Sequence, residues 1–109
     1  MLDEPLIISY EIISDLTWQM LKAARCKDWT TLAGIEDYRA QLMDAVTTGK
    51  LGGTLTAVEQ RRKTGIMMQV MQDDIEINAL AKEHLGKLRN RVRVAANEQY
   101  NREPYLKAA

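Results

Sequence analysis

The stretch TAVEQRRKTGIMMQVMQDDIEINALA, Thr56–Ala81, decides the fold. It opens with Thr56-Ala-Val-Glu59, the pattern in which a threonine hydroxyl caps the third amide of a helix and the glutamate reaches back to the threonine amide. Immediately before it lies Thr47-Thr-Gly-Lys-Leu-Gly-Gly-Thr54, which holds three of the six glycines and reads as the main loop. After it nothing strong enough to end a helix occurs until about Asn97, because Gly65 and Gly86 are tolerable interruptions. Along this run Ile66, Val70, Ile77, Ala81, His84, Leu88, Val92 and Ala95 fall within about 80° of one another at the helical period. The pattern predicts one long helix over about 56–97, with residues 98–109 as a short final helical segment or a tail.

Upstream, the same reasoning predicts two shorter helices. Asp3 is a candidate N-cap with Pro5 in the first turn, opening a helix over about 4–26. Leu6, Tyr10, Ile13, Thr17, Met20 and Ala24 form its core stripe. A break near Cys26-Lys27 is followed by Asp28, a second N-cap candidate, and a helix over about 28–47 carrying Trp29, Leu32, Ile35, Arg39, Leu42 or Met43, and Val46. The two prolines, Pro5 and Pro104, bracket a proline-free interior, which suits an all-helical chain because proline costs about 3 kcal/mol inside a helix. The fold class expected is therefore all-α: an antiparallel helical hairpin packed on a long third helix, in one domain of 109 residues.

Composition narrows the function. Hydrophobic residues make up 46% and charged residues 28%, a balance of neither a disordered nor a membrane protein. No apolar run approaches the roughly 20 residues of a spanning helix, and no cleavable leader opens the chain. With the lone Cys26 excluding an internal disulfide, these features predict a cytoplasmic protein. The net charge is zero, yet residues 82–109 hold seven bases against three acids. The +4 of this segment marks either a solvated helical face and tail or a segment that docks on an acidic partner or on the chain's own acidic body.

Catalytic chemistry is scarce. His84 is the one histidine and lies in the core stripe, so it reads as a hydrogen-bonded core or boundary residue; a di-iron bundle needs two Glu-x-x-His units. Cys26 has no histidine near it, and Asp73, Asp74 and Glu76 lack the alternating ligands and glycine of a calcium loop. Asp73 and Asp74 project near the core stripe, where a carboxylate must be paired or sit at the bundle edge. No phosphate-cradling loop or nucleophile elbow is present. The reading is no enzyme and no cofactor. The basic Lys87-Leu-Arg-Asn-Arg-Val-Arg93 stretch suits a helix C-terminus, and a pI near 6.6 argues against direct nucleic-acid binding.

Apolar residues remain after the core stripes are filled. Met67, Met71 and Ile75 are spaced i, i+4, i+8 and sit about 100–180° from the stripe, with Met68 beyond them, while Ile7 and Trp18 project off the stripe of the first helix. Three coverings fit: a third helix buried on both sides by the other two, a partner groove, or a second copy. Methionine suits a groove because its unbranched, polarizable side chain repacks around different ligands.

The order Tyr10…Met20-Leu21-x-Ala23-Ala24, then Asp28-Trp29-x-x-Leu32-x-x-x-Glu36-x-x-Arg39, resembles the first helical hairpin of the FliT family of flagellar type III export chaperones. Leu55-x-x-x-Glu59-x-x-Arg62-Lys63-x-x-Ile66-x-x-x-Val70-x-x-Asp73-Asp74-x-Glu76-Ile77-x-x-Leu80-Ala81, with Leu85, Leu88 and Tyr100, extends the resemblance over about residues 8–100. It implies a cytoplasmic chaperone that binds the C-terminal region of the flagellar filament-cap protein, prevents its premature assembly, and docks to the export ATPase and its small helical partner. In some relatives the free chaperone restrains the flagellar master transcription activator by binding its protein; in the family a C-terminal helical segment covers the groove and limits such contacts, a role that the resemblance gives here to residues from about 96 onward, including Tyr100. The groove expected is lined by Leu32, Ile35, Leu42, Met43, Met67, Met68 and Met71, with Tyr100 as a further partner-binding residue. The alternatives are a homodimeric helical interaction module and a nucleic-acid-binding regulator using the basic end of the long helix.

Overall fold

The computed structural model describes the backbone of residues 5–108 and the side chains of residues 5–97. Among the described residues the regular structure is helical: α1 spans Leu6–Arg25, α2 Trp29–Thr47 and α3 Ala57–Ala108. Backbone contacts divide the chain into two units, residues 1–78 and 79–109.

Local chemistry sets the boundaries. Pro5 is the N-cap of α1 in an extended conformation, its carbonyl accepting from the Ile8 amide at 3.0 Å. Asp3, the cap expected from sequence, lies outside the described residues. At the other end Lys27 sits at φ 59°, its amide donating to the Ala24 carbonyl at 3.1 Å while the Asp28 amide donates to the Ala23 carbonyl at 2.8 Å. This pair of bonds is the Schellman arrangement, built here on a lysine where glycine is usual. Asp28 then caps α2: its carboxylate accepts from the Thr31 amide at 3.2 Å and the Thr31 hydroxyl at 2.7 Å. One residue thus closes the first helix through its amide and opens the second through its side chain, giving the tight hairpin. The end of α2 repeats the motif with Gly49 at φ 73°, where the Lys50 amide donates to the Ala45 carbonyl at 3.1 Å.

The capping box of α3 forms as the sequence predicts. The Glu59 amide donates to the Thr56 hydroxyl at 3.1 Å, and the Thr56 amide donates to the Glu59 carboxylate at 2.9 Å. The helix does not end near 97, however. Its backbone continues through Pro104 to Ala108, so of the two forms expected after residue 97 the helical one is present, continuous with α3. Between Gly86 and Pro104 the sequence holds neither glycine nor proline, so nothing local stops the helix where the apolar pattern fades.

Within residues 5–78 the three helices share one core. Arg62 of α3 pairs with Glu11 of α1 at 2.7 Å, and Glu76 pairs with Arg25 at 2.7 Å, so α1 and α3 run parallel at a constant offset. Arg39 of α2 reaches Thr17, while Val46, seven positions on, clusters with Ile7 and Tyr10 of α1. That reversal makes α2 antiparallel to α1, and therefore to α3. Ile7, Tyr10, Ile13, Val46 and Val70 form the centre, with Leu6, Ile8, Leu42, Met43, Leu55, Ile66 and Met67 packed around it. The most deeply buried helix is α1, whose Ile13, Thr17, Met20 and Leu21 are essentially sealed from solvent. Ile7, which the periodicity set off the α1 stripe, is buried because the cluster draws on α2 and α3 together, so α1 has two covered sides. The helix enclosed on two sides is α1 and not α3.

A polar bridge joins all three helices. The Thr17 hydroxyl donates to the Ile13 carbonyl at 2.8 Å and accepts from Arg39 Nη1 at 2.9 Å. The same Nη1 donates to Asp74 Oδ1 at 2.7 Å. The carboxylate that the sequence placed beside the core is paired, as burial physics requires. Its neighbour Asp73 accepts from Gln69 Nε2 at 2.9 Å.

Candidate functional site

Residues 5–78 carry one apolar ridge that their own packing leaves open. Met68, Met71 and Ile75 of α3 are 59%, 62% and 69% exposed and follow the i, i+3, i+7 spacing of a single helix face. Val70 and Ile77 on the opposite side of that helix are buried, so the ridge is what remains of an apolar helix once its core stripe is satisfied. Met67 lies between the two, half-buried against the core cluster together with Met43 and Leu42 of α2. Three flexible or branched apolar side chains are thus held out on a rigid helix, with a methionine beside them anchored in the core.

The eight residues expected to bind a partner do not form one lining. Leu32 is buried, 8% exposed, and belongs to the core; at a position one turn inside a hairpin helix the core competes for it and wins. Ile35 is half-buried, as are Leu42, Met43 and Met67, the last three packed on the central cluster. Met68 and Met71 are fully presented. The side chain of Tyr100 lies outside the described residues. Ile75 belongs on the surface as much as either methionine; its signal was the Met67–Met71–Ile75 series. Tyr38 of α2 is also exposed, an aromatic ring one position from the part-buried bridge of Arg39.

A second aromatic feature lies on α1. Trp18 is exposed, with Lys22 Nζ 5.8 Å and the Arg25 guanidinium 5.7 Å from its ring centroid. Arg25 in turn makes two bonds to Glu76, at 2.7 and 3.1 Å. That hydrogen bonding holds the Glu76 carboxyl below its ordinary range and raises the guanidinium of Arg25. The Asp28 carboxyl is likewise lowered, by the Thr31 hydroxyl first and the Thr31 amide second. These shifts are those of a helix cap and an ion pair.

Among the described residues no group of three or more histidine, cysteine or acidic side chains could hold a metal ion. Cys26 is exposed in the hairpin turn, and His84 is half-buried in residues 79–109. No helix is long and apolar enough to cross a membrane, among the residues described. The chemistry the ridge offers is contact: apolar area, adaptable in shape, on a helix surface.

Comparison with known proteins gives the family. A family model described as flagellar protein FliT matches residues 7–107. The flagellar protein FliT of Photorhabdus laumondii subsp. laumondii is 23% identical over 100 residues, covering 92% of this chain and 80% of the relative. No solved structure matches significantly. With the matched region running from the first helix almost to the end of the third, the chain belongs to the FliT family of flagellar proteins.

Proposed function

We propose that this protein is a cytoplasmic export chaperone whose Met68–Met71–Ile75 ridge binds the C-terminal helical region of the flagellar filament-cap protein. In this reading it keeps the cap protein from assembling early and delivers it to the export ATPase and its small helical partner. Free of client, it restrains the flagellar master activator by direct binding to that protein. The observation that carries the reading is the ridge itself: three large apolar side chains exposed together on a helix whose opposite side is core. A client helix laid on α3 removes Met68, Met71 and Ile75 from water and uses Met67 and Met43 as an adjustable floor. Burying three such side chains yields roughly 1.5–3 kcal/mol each before association and ordering costs. Those costs consume much of the gain, which leaves an affinity of about micromolar to submicromolar.

The test is co-migration on a sizing column of purified protein with the C-terminal segment of the cap protein from the same genome. The wild type is expected to hold the segment in a discrete complex. Met71→Asp, at a side chain that is 62% exposed, is expected to lose the complex while its helical circular dichroism stays unchanged. A complex that survives Met71→Asp and Met68→Asp together would remove the ridge from the interface.

A further inference from the structure

Residues 79–109 present a different surface. Ala81, Leu85, Leu88, Val92 and Ala95 recur at spacings of four, three, four and three, the heptad pattern of a coiled-coil seam. Leu85, Leu88 and Val92 are 46%, 39% and 68% exposed, so the middle of this seam is open to solvent. The positions flanking a seam choose its partner, and within Ala81–Ala95 they are Lys82 and Arg89 on one side and His84 and Arg91 on the other. Lys87 and Arg93 lie just beyond them. No described acid lies within ion-pair distance of Lys82, Arg89 or Arg91, whereas Lys87 is already engaged by Glu83 at 3.2 Å.

We infer that the Ala81–Ala95 face docks an amphipathic helix of a partner protein that carries an apolar heptad seam flanked by aspartate or glutamate. Charge complementarity selects this occupant. A second copy of the same segment brings no acid to any flanking position: an antiparallel pairing sets Lys82 against Arg89, and a parallel one sets His84 against Arg89. Like charges at those positions disfavour self-pairing and favour an acidic partner. The exposed leucines supply the affinity and the basic edges the choice of partner. This inference is independent of the proposed client site, which lies on residues 68–75.

The experiment titrates the full-length protein into two fluorescein-labelled designed heptad peptides, followed by fluorescence anisotropy. Both have leucine at the seam positions; one has glutamate and the other lysine at the flanking positions. The wild type is expected to bind the glutamate peptide saturably and at least about tenfold more tightly than the lysine peptide, with the preference shrinking in high salt. Leu88→Asp is expected to weaken the glutamate peptide by at least about tenfold. The doubly substituted Arg89→Glu, Arg91→Glu protein is expected to invert the preference, a result that loss of folding would not produce. Equal binding of both peptides, or of neither, would overturn the inference. So would a doubled mass in sedimentation that Leu88→Asp abolishes, which assigns the seam to a second copy. Binding to phosphatidylglycerol vesicles without binding to the glutamate peptide would assign it to an anionic lipid surface instead, and would equally overturn it.

Discussion

The bridge from Thr17 through Arg39 to Asp74 is the contact by which α2 is held in register against both of its neighbours, and its removal is expected to be costly in a particular way. Arg39 is 15% exposed and Asp74 34%, with 2.7 Å between Nη1 and Oδ1. At an effective dielectric of about 20 two unit charges some 4 Å apart attract by about 4 kcal/mol, most of which offsets their desolvation. Charge-assisted hydrogen bonds of this kind contribute roughly 1.5–3 kcal/mol net, less where one partner keeps solvent access as Asp74 does. Arg39→Met, which retains the aliphatic stem, is expected to cost about 2 kcal/mol, and Asp74→Asn and Thr17→Val about 1 kcal/mol each. The two charge removals are expected to be non-additive by about 0.5–1 kcal/mol, because once either partner is gone the other has less to lose. Urea unfolding followed by tryptophan fluorescence is the assay, since both tryptophans, Trp18 and Trp29, lie within residues 1–78 and report that unit alone. Additivity to within about 0.3 kcal/mol would refute the reasoning, and would mean that Arg39 acts through contacts other than its pairing with Asp74.

Three other perturbations test separate parts of the account. Lys27→Gly is expected to raise the stability of residues 1–78 by about 1 kcal/mol, since a lysine at φ 59° carries the left-handed penalty that glycine avoids; thermal unfolding would show a rise of about 4–8 °C. Ile13→Ala, at a side chain with no solvent exposure, is expected to cost about 3–4 kcal/mol, against about 0.5 kcal/mol or less for Met71→Ala on the open ridge, both read from urea midpoints. Asp28 and Glu76 are both held below the ordinary carboxylate range, so the stability they contribute is complete above their unfolded pKa and is lost as pH falls through the lower folded value. The melting temperature is therefore expected to fall on acidification below about pH 4. Asp28→Asn, which keeps a capping side chain without the charge, is expected to flatten that acid limb while leaving the neutral-pH melting temperature nearly unchanged.

The features legible in the sequence are those decided within a few residues. Asp28 and the Thr56–Glu59 box act through bonds three residues apart, and the glycines of the 49–53 loop mark where the hairpin ends. The α1 stripe was legible because one side of α1 follows a clean helical period. What sequence could not place depends on three bodies meeting. Ile7 sits off that stripe and is buried all the same, because the shared cluster joins α1 to α3 as well as to α2. Leu32 has the periodicity of a surface groove as well as of a core, and the structure spends it on the core. The pairing of Asp74 with Arg39 spans 35 positions; sequence required a partner for the carboxylate without naming it. The exposure of Leu88 and Val92 was equally hidden, since they continue the periodicity that buries Val70 and Ile77.

The most direct test of the proposed chaperone activity is a calorimetric titration of the protein with the C-terminal segment of the filament-cap protein, repeated at several temperatures and with Met71→Asp. The account predicts one-to-one binding at about micromolar Kd or tighter, a negative heat-capacity change from buried apolar surface, and loss of the signal in the variant. Binding of wild type and variant with the same affinity and the same heat-capacity change would contradict it, as would the absence of heat at high micromolar concentrations from a protein whose helical content is intact.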